Sequence, residues 1–329
     1  MILSLASLSR GSIRIGWVHR GQKPTAAGIR NLGIEFGCYE YQDQVDQLIT
    51  ASAYDEDLAR WLMFKEFVAW GYVEYIDIYR KAWELNKSLP SDKPKFRVIN
   101  LNYRPDWSAM EEKMTPELWK KVWPKGDSDE HMASIIIKEF VAKNLKALIY
   151  SGSHHAFTGY HQPVVDFEKK QLIRFNTTRM GNIVMQKIPN KVFNIFLHSP
   201  WSTKASFEEH NYPVGGVIDS VMDEFLDKRV GFDVLGSPFG KLEDPETYYA
   251  YGYDKFDLGT FCDGYIYQKH LKDYEGCTVD EKFINNENFE EAVQNFPNFE
   301  FRKALKKPPD LMNAIRQDAD MKARFKDLK

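Results

Sequence analysis

Short apolar runs alternate with longer helical repeats along residues 13 to 202, and this alternation restricts the fold more than any other feature of the sequence. Apolar residues at three- and four-residue spacings predict one long helix over Tyr54–Asn86, or two helices broken near Gly71. The same spacing predicts a helix over Asp129–Asn144. Strands are expected at Ile13–Ile15, Leu32–Ile34, Phe96–Leu101, Ala147–Tyr150 and Val192–Leu197. Because parallel strands need crossover connections, the pattern predicts an α/β fold with a mostly parallel central sheet flanked by helices.

The sequence changes character after residue 202. Gly, Pro and aromatic residues are dense there, as in Tyr248–Phe256, and the helical runs become short. We expect helices at Val217–Leu226 and Phe289–Asn295, and a peripheral helix within Pro308–Lys329. The sequence therefore predicts a core over residues 1–202 and an irregular, aromatic-rich C-terminal part over residues 203–329. We expect this part to pack on the core and to cover the site. The alternative is a separate domain.

The composition limits the partners of the chain. The net charge of −3 gives no basic surface excess, so a nucleic-acid partner is not favoured. Aromatic residues form 14% of the chain, and pocket walls for a large apolar small molecule are one use for them. Cys38, Cys262 and Cys277 are too few and scattered for a disulfide framework. No apolar run is long enough for a membrane span, and no convincing signal peptide is present, which favours a cytoplasmic location.

Polar side chains follow each expected strand. His19 follows the first strand, Glu35 the second, Asn102 the third, His154 and His155 the fourth, and His198 the fifth. In open α/β sheets, ligands bind beyond the carboxyl ends of the strands. Imidazole and carboxylate groups there act as general acids and bases or bind metals. The sequence predicts His155, Glu35 and His19 as catalytic residues, and His154, Tyr160, His161 and Asn102 as substrate-binding residues.

Two Gly-x-x-His motifs, Gly16–His19 and Gly152–His155, flank the glutamate of the sequence LGIEFG at Glu35. With the Gln-containing stretch at Tyr41–Asp46 and the pair Met132-Ala133, their order resembles the superfamily of erythromycin esterases, ChaN-like haem-binding proteins and TIKI/TraB proteins. The resemblance covers residues 13 to 202. Trp17 stands where many members have a glutamate, and Ser128 stands where an arginine often opens the Met-Ala helix.

The esterase branch of this superfamily implies a hydrolase of an ester or related carbonyl bond. His155 or His19 would act as a general base on water, with Glu35 assisting. The TIKI-like branch implies a divalent metal, Mn²⁺ or Zn²⁺, which His19, Glu35 and His155 would hold.

Two alternatives remain open. The ChaN-like branch implies a binding protein without chemistry, in which Tyr160, His161 or His155 would ligate haem iron. A structural or interaction protein that retains a decayed site is the third alternative. The substrate and the oligomeric state do not follow from the sequence.

Overall fold

The computed structural model describes residues 2–7, 28–110, 114–225 and 228–328, and for residues 2–7 it describes the backbone alone. Within these ranges the chain is a mixed α/β protein. Its strands are β1 Ile2–Ser7, β2 Asn31–Cys38, β3 Arg97–Asn102, β4 Ala147–Gly152, β5 Gln162–Asp166, β6 Gln171–Asn176, β7 Val192–Leu197, β8 Trp201–Ser202, β9 His210–Asn211, β10 Val230–Asp233 and β11 Gly264–Tyr267.

Helices lie between and after these strands. They are α1 Gln42–Thr50, α2 Glu56–Glu66, α3 Val73–Ser88, α4 Pro116–Val122, α5 Ser128–Ile136, α6 Ser153–Ala156, α7 Met180–Lys187, α8 Val217–Glu224, α9 Leu258–Phe261, α10 Phe289–Gln294, α11 Phe299–Arg302, α12 Pro308–Ala319 and α13 Met321–Arg324. None of the helices in the described ranges is both long and apolar enough to cross a membrane.

The described residues form two compact units. Unit 1 contains those of Met1–Gly11, Leu148–Gly276 and Met321–Lys329, and unit 2 contains those of Ser12–Ala147 and Cys277–Asp320. The domain boundary expected at residue 202 stays a prediction.

Unit 1 is built on strands in the order β10-β11-β7-β1-β4. Strand β7 pairs in parallel with both β1 and β11, and β10 adds to β11 in the antiparallel direction. Its core is strongly aromatic and includes Phe157, Tyr160, Phe196, Trp201, Tyr249, Phe256, Phe261 and Tyr265. Many of the aromatic residues of the C-terminal sequence therefore pack in this core, where each ring buries a large apolar area.

Unit 2 contains the parallel pair of β2 and β3. Seven of the eight residues of β2 are buried, and so are five of the six residues of β3. Such nearly continuous burial is typical of parallel strands that are covered on both faces. The packed residues of this unit include Ile34, Val45, Leu62, Val98, Ile99, Leu101 and Met132.

The predicted helix over Tyr54–Asn86 is two helices. Asp55 caps the first of them, α2, by accepting a hydrogen bond from the Leu58 amide at 2.9 Å. The chain is extended at Phe67 and Tyr72, before α3 begins at Val73. A Cβ atom at Gly71 would lie 2.5 Å from the ring of Phe283, so the packing at this break requires glycine.

The remaining predicted elements agree closely with the structure, with two corrections. Strand β2 does not stop at Glu35 but continues to Cys38, because it keeps pairing with β3. The predicted helix over Asp129–Asn144 ends as an α-helix at Ile136 and continues as a π-helical turn over Ile137–Val141. The strand expected at Val192–Leu197 has those bounds. The strand expected at Ile13–Ile15 lies outside the described residues.

Candidate functional site

The carboxyl ends of β2 and β3 lie side by side in unit 2. Ile34 is paired with Asn100, and Cys38 is paired with Asn102. The four-residue step along β2 is matched by a two-residue step along β3, so the ladder is irregular between Ile34 and Cys38. Such irregularities re-aim side chains and are common next to active sites. Glu35 lies in this irregular segment, half-buried, rather than after the end of the strand.

The carboxyl group of Glu66 lies at this edge. Glu66 is the last residue of α2, and it is only 4% exposed. Its Oε2 accepts a hydrogen bond from the Cys38 thiol at 3.1 Å, and its Oε1 accepts one from Asn102 Nδ2 at 3.3 Å. In the part of the chain that the structure describes, no cationic nitrogen lies within ion-pair distance of this carboxyl group. A buried carboxyl group without a cation is costly to ionise.

Burial therefore raises the pKa of Glu66 to about 8. The hydrogen bond from Cys38 opposes this rise, whereas the charges of Glu35 and Glu40 add to it. At neutral pH the group is mostly a carboxylic acid that can donate a proton or a hydrogen bond. Carboxyl groups whose pKa is raised in this way act as general acids in several hydrolases.

Asn102, predicted to bind substrate, is connected to this acid. Its amide nitrogen donates to Glu66, but its Oδ1 is buried and accepts no hydrogen bond from the described residues. A buried amide oxygen without a partner is rare in proteins, and it can accept a hydrogen bond from a ligand.

Cys38 is a hydrogen-bond donor at this site rather than a nucleophile. Its Sγ also lies 3.4 Å from the carbonyl oxygen of Lys65. Burial, followed by the charge of Glu66, raises the pKa of the thiol far above its ordinary range. Thiols act as nucleophiles in the thiolate form, which is suppressed here.

A network of ion pairs lies beside the acid. Arg104, two residues after Asn102, donates from Nη1 to Glu291 Oε1 at 2.8 Å, and Lys65 Nζ lies 2.6 Å from the same oxygen. Burial alone would raise the pKa of Glu291, but the hydrogen bonds from Lys65 and Arg104 lower it below its ordinary value. The Nη2 atom of Arg104 is buried and makes no hydrogen bond to the described residues.

The predicted residues His154 and His155 lie in unit 1, on the single turn of α6 that follows β4. His154 Nε2 lies 3.3 Å from the hydroxyl of Tyr249, and its Nδ1 lies 3.4 Å from Gln162 Nε2. The His154 ring also packs near Phe207. His155 is half-buried on the same turn. The glycine-containing end of β4 therefore presents both imidazoles at its carboxyl end, as the sequence predicts.

Tyr160 and His161 also belong to unit 1. The Tyr160 hydroxyl donates to the Tyr249 carbonyl oxygen at 2.7 Å, and Tyr160 is 2% exposed within the aromatic core. The His161 amide donates to the Tyr253 hydroxyl at 3.0 Å, and that hydroxyl donates to the His161 carbonyl oxygen at 2.8 Å. The assignment of Tyr160 and His161 to ligand binding stays a prediction.

His198, which follows β7, is enclosed in the same unit. Its side chain is 0% exposed. Its Nδ1 lies 2.7 Å from the Tyr265 hydroxyl, and its Nε2 lies 3.1 Å from the Asp219 carboxylate. Both nitrogen atoms of this imidazole ring have protein partners. Because Asp219 lies in α8, the side chain of His198 links the end of β7 to that helix.

The first Gly-x-x-His motif, which contains His19, lies outside the described residues. Within those residues, no three or more His, Cys, Asp or Glu side chains gather in a way that could hold a metal ion. The metal site of His19, Glu35 and His155 therefore stays a prediction.

Sequence reasoning missed Glu66 and Cys38. A signal for Glu66 was present, because it follows Ala59, Leu62 and Met63 at helical spacings of seven, four and three residues and so lies on their buried face. A carboxylate on the apolar face of a helix is a candidate functional group. Cys38 carried no comparable signal.

No family model and no curated protein matches the chain. Among solved structures, it is similar to a succinoglycan biosynthesis protein, with a TM-score of 0.54 and 10% identity, over 85% of this chain and 89% of that one. It is also similar to a protein from Bacillus cereus, with a TM-score of 0.52 and 10% identity, over 85% of this chain and 90% of that one. These two likenesses concern the fold alone.

A mutant of erythromycin esterase EreC in its open conformation is a further similar structure. Its TM-score is 0.45 at 10% identity, over 80% of this chain and 89% of that chain. At this level of similarity the likeness carries no argument about activity.

Proposed function

We propose that the chain is a hydrolase of an ester or a related carbonyl bond, with Glu66 as general acid and Glu35 as general base. The observation that carries the proposal is the Glu66 carboxyl group, which is buried at the carboxyl ends of β2 and β3 and, among the described residues, has only a thiol and an amide as hydrogen-bond partners. The order of Gly-x-x-His motifs around Glu35, which resembles that of erythromycin esterases, supports the same class of reaction.

The reaction needs one group that takes a proton and one that gives a proton. Glu35, as a carboxylate, would take a proton from the attacking water while the water oxygen bonds to the carbonyl carbon. Glu66, as an acid, would give its proton to the leaving alkoxide as the carbon–oxygen bond breaks. A proton then passes from Glu35 to Glu66, and the products are an acid and an alcohol.

The electrostatics of the two carboxyl groups suit these roles. The negative charge of Glu35 is one of the causes that raise the pKa of Glu66, so one of the two groups tends to keep a proton at neutral pH. Asn102 would hold the acid through its amide nitrogen, and its Oδ1, which has no partner among the described residues, would accept a hydrogen bond from a donor group of the substrate. Proton transfer by groups placed in this way is worth about 10²–10⁴-fold in rate.

The proposal is tested with a panel of short- and long-chain aryl esters, with and without added Mn²⁺ or Zn²⁺. We expect hydrolysis by the native chain and a loss of about 10²-fold or more in Glu35→Gln and in Glu66→Gln. The matched control is Glu117→Gln, because Glu117 is exposed on α4 and belongs to neither strand of the site. His155→Ala in the same assay tests the predicted role of His155.

Equal activity of the native chain and both glutamine variants would contradict the assignment of Glu35 and Glu66. If no ester is hydrolysed and added haemin gives a Soret band, the chain is a binding protein instead.

A further inference from the structure

A groove with a volume of about 690 Å³ lies on unit 2 and takes no part in the proposed chemistry. One side is formed by Trp61 and Phe64 of α2, and the other by residues of the segment 281–291. Its polar lining includes Asp57, Arg60, Glu281, Lys282, Asn285, Glu287, Asn288 and Glu291. This volume lies within the usual range of pockets for small-molecule ligands.

Trp61 gives the groove an aromatic surface. It is 37% exposed, although the tyrosine ring of Tyr41 packs edge-on against it at 4.9 Å. Lys65 Nζ lies 5.6 Å from the centre of the indole. The ring is thus held in place by neighbours while part of its apolar surface meets solvent. An apolar surface of this kind attracts the C–H face of a ligand.

Most charged groups of the lining are already paired. Arg60 donates to Asp57 at 2.5 Å and to Asp280 at 2.7 Å. Glu291 is paired with Lys65 and Arg104. Carboxylates in ion pairs attract a further cation weakly. Both Lys65 and Arg104 donate to Oε1 of Glu291, so its Oε2 keeps lone pairs that can accept a hydrogen bond from a hydroxyl group. The lining therefore suits a neutral ligand that is rich in hydroxyl groups better than a charged one.

Hydrogen-bond donors are also present at the groove. Asn285 uses its Oδ1 to accept from the amides of Glu287 and Asn288, so its side-chain nitrogen points away from these bonds. Fixed acceptors, fixed donors and an aromatic ring together match the two kinds of surface on a pyranose, which has an apolar face and a polar rim.

We propose that this groove binds a neutral carbohydrate of one or two rings, with a sugar ring stacked on Trp61 and its hydroxyl groups bonded to Glu291 and Asn285. The proposal does not depend on ester hydrolysis.

The experiment is calorimetric titration of the full chain with maltose, cellobiose, lactose and sucrose, and separately with tetramethylammonium chloride. We expect at least one disaccharide to bind with a Kd of about 1 mM or lower. Trp61→Ala should weaken this binding by about tenfold or more, and Trp61→Phe should weaken it less, because a phenyl ring keeps part of the stacking surface. The matched control is Trp119→Ala, because Trp119 on α4 is also 37% exposed but lies outside the groove lining.

Three results would overturn the proposal. They are the absence of binding by all four disaccharides, equal affinity of the native chain and Trp61→Ala, and binding of tetramethylammonium in place of sugar. Because binding is measured without a reaction, a failure here is distinct from a failure of the aryl-ester assay.

Discussion

Replacing Glu66 with glutamine should remove a large part of the pH dependence of stability. The side chain keeps its size, and its oxygen can still accept from Asn102, but it no longer titrates. The pKa of Glu66 is about 8 in the folded chain, against an ordinary value of 4.5. Because one pKa unit corresponds to about 1.36 kcal/mol, the native chain should lose about 3–4 kcal/mol of this contribution between pH 5 and pH 8.

The sign follows from proton binding. Between the two pKa values the folded chain holds a proton on Glu66, whereas the unfolded chain has released it. The free energy of unfolding therefore falls as pH rises through this range. The contribution is fully present below the unfolded pKa of 4.5 and is lost as pH passes about 8.

Urea unfolding at several pH values between 5 and 8 measures this effect. The stability of Glu66→Gln minus that of the native chain should increase with pH by about 3–4 kcal/mol. A difference for Glu66→Gln that does not change with pH would refute the reasoning, because Glu66 would then titrate alike in both states.

Three further substitutions test the packing, each by urea unfolding against the native chain. Asn86 is 2% exposed and makes three hydrogen bonds to the backbone, so Asn86→Ala should destabilise by about 3 kcal/mol; a loss under about 1 kcal/mol would contradict this. A Cβ at Gly37 would lie 2.2 Å from Asn100 Cγ, so Gly37→Ala should lose about 1–3 kcal/mol, and an unchanged midpoint would count against that contact. Phe261 is 1% exposed among the aromatic rings of unit 1, so Phe261→Ala should lower the free energy of unfolding by about 3–5 kcal/mol. A smaller loss than that of Gly37→Ala would contradict this prediction.

The strands and helices could be predicted because local patterns determine them. The apolar run Val192–Leu197 is a strand with those bounds, and the capping residue Asp55 and the glycine at Gly71 determine where α2 begins and the helical region breaks. The continuation of β2 past Glu35 could not be predicted, because pairing with β3, about 60 residues away, stabilises it.

The candidate site was only partly predictable for the same reason. Asn102 was predicted as a site residue because it comes at the carboxyl end of a strand, but its hydrogen-bond partner Glu66 comes from a helix. The pair of Arg104 and Glu291 joins residues 187 positions apart, and no local pattern predicts such a contact. The roles of His154, His155, His161 and Tyr160 remain predictions from sequence.

The pH–rate profile of aryl-ester hydrolysis by the native chain, corrected for the uncatalysed reaction, tests the central claim most directly. With Glu66 as the general acid, kcat/KM should fall above pH 8 along a limb whose apparent pKa is about 8. A profile that stays level or keeps rising above this pH would contradict the assignment of Glu66 as the proton donor.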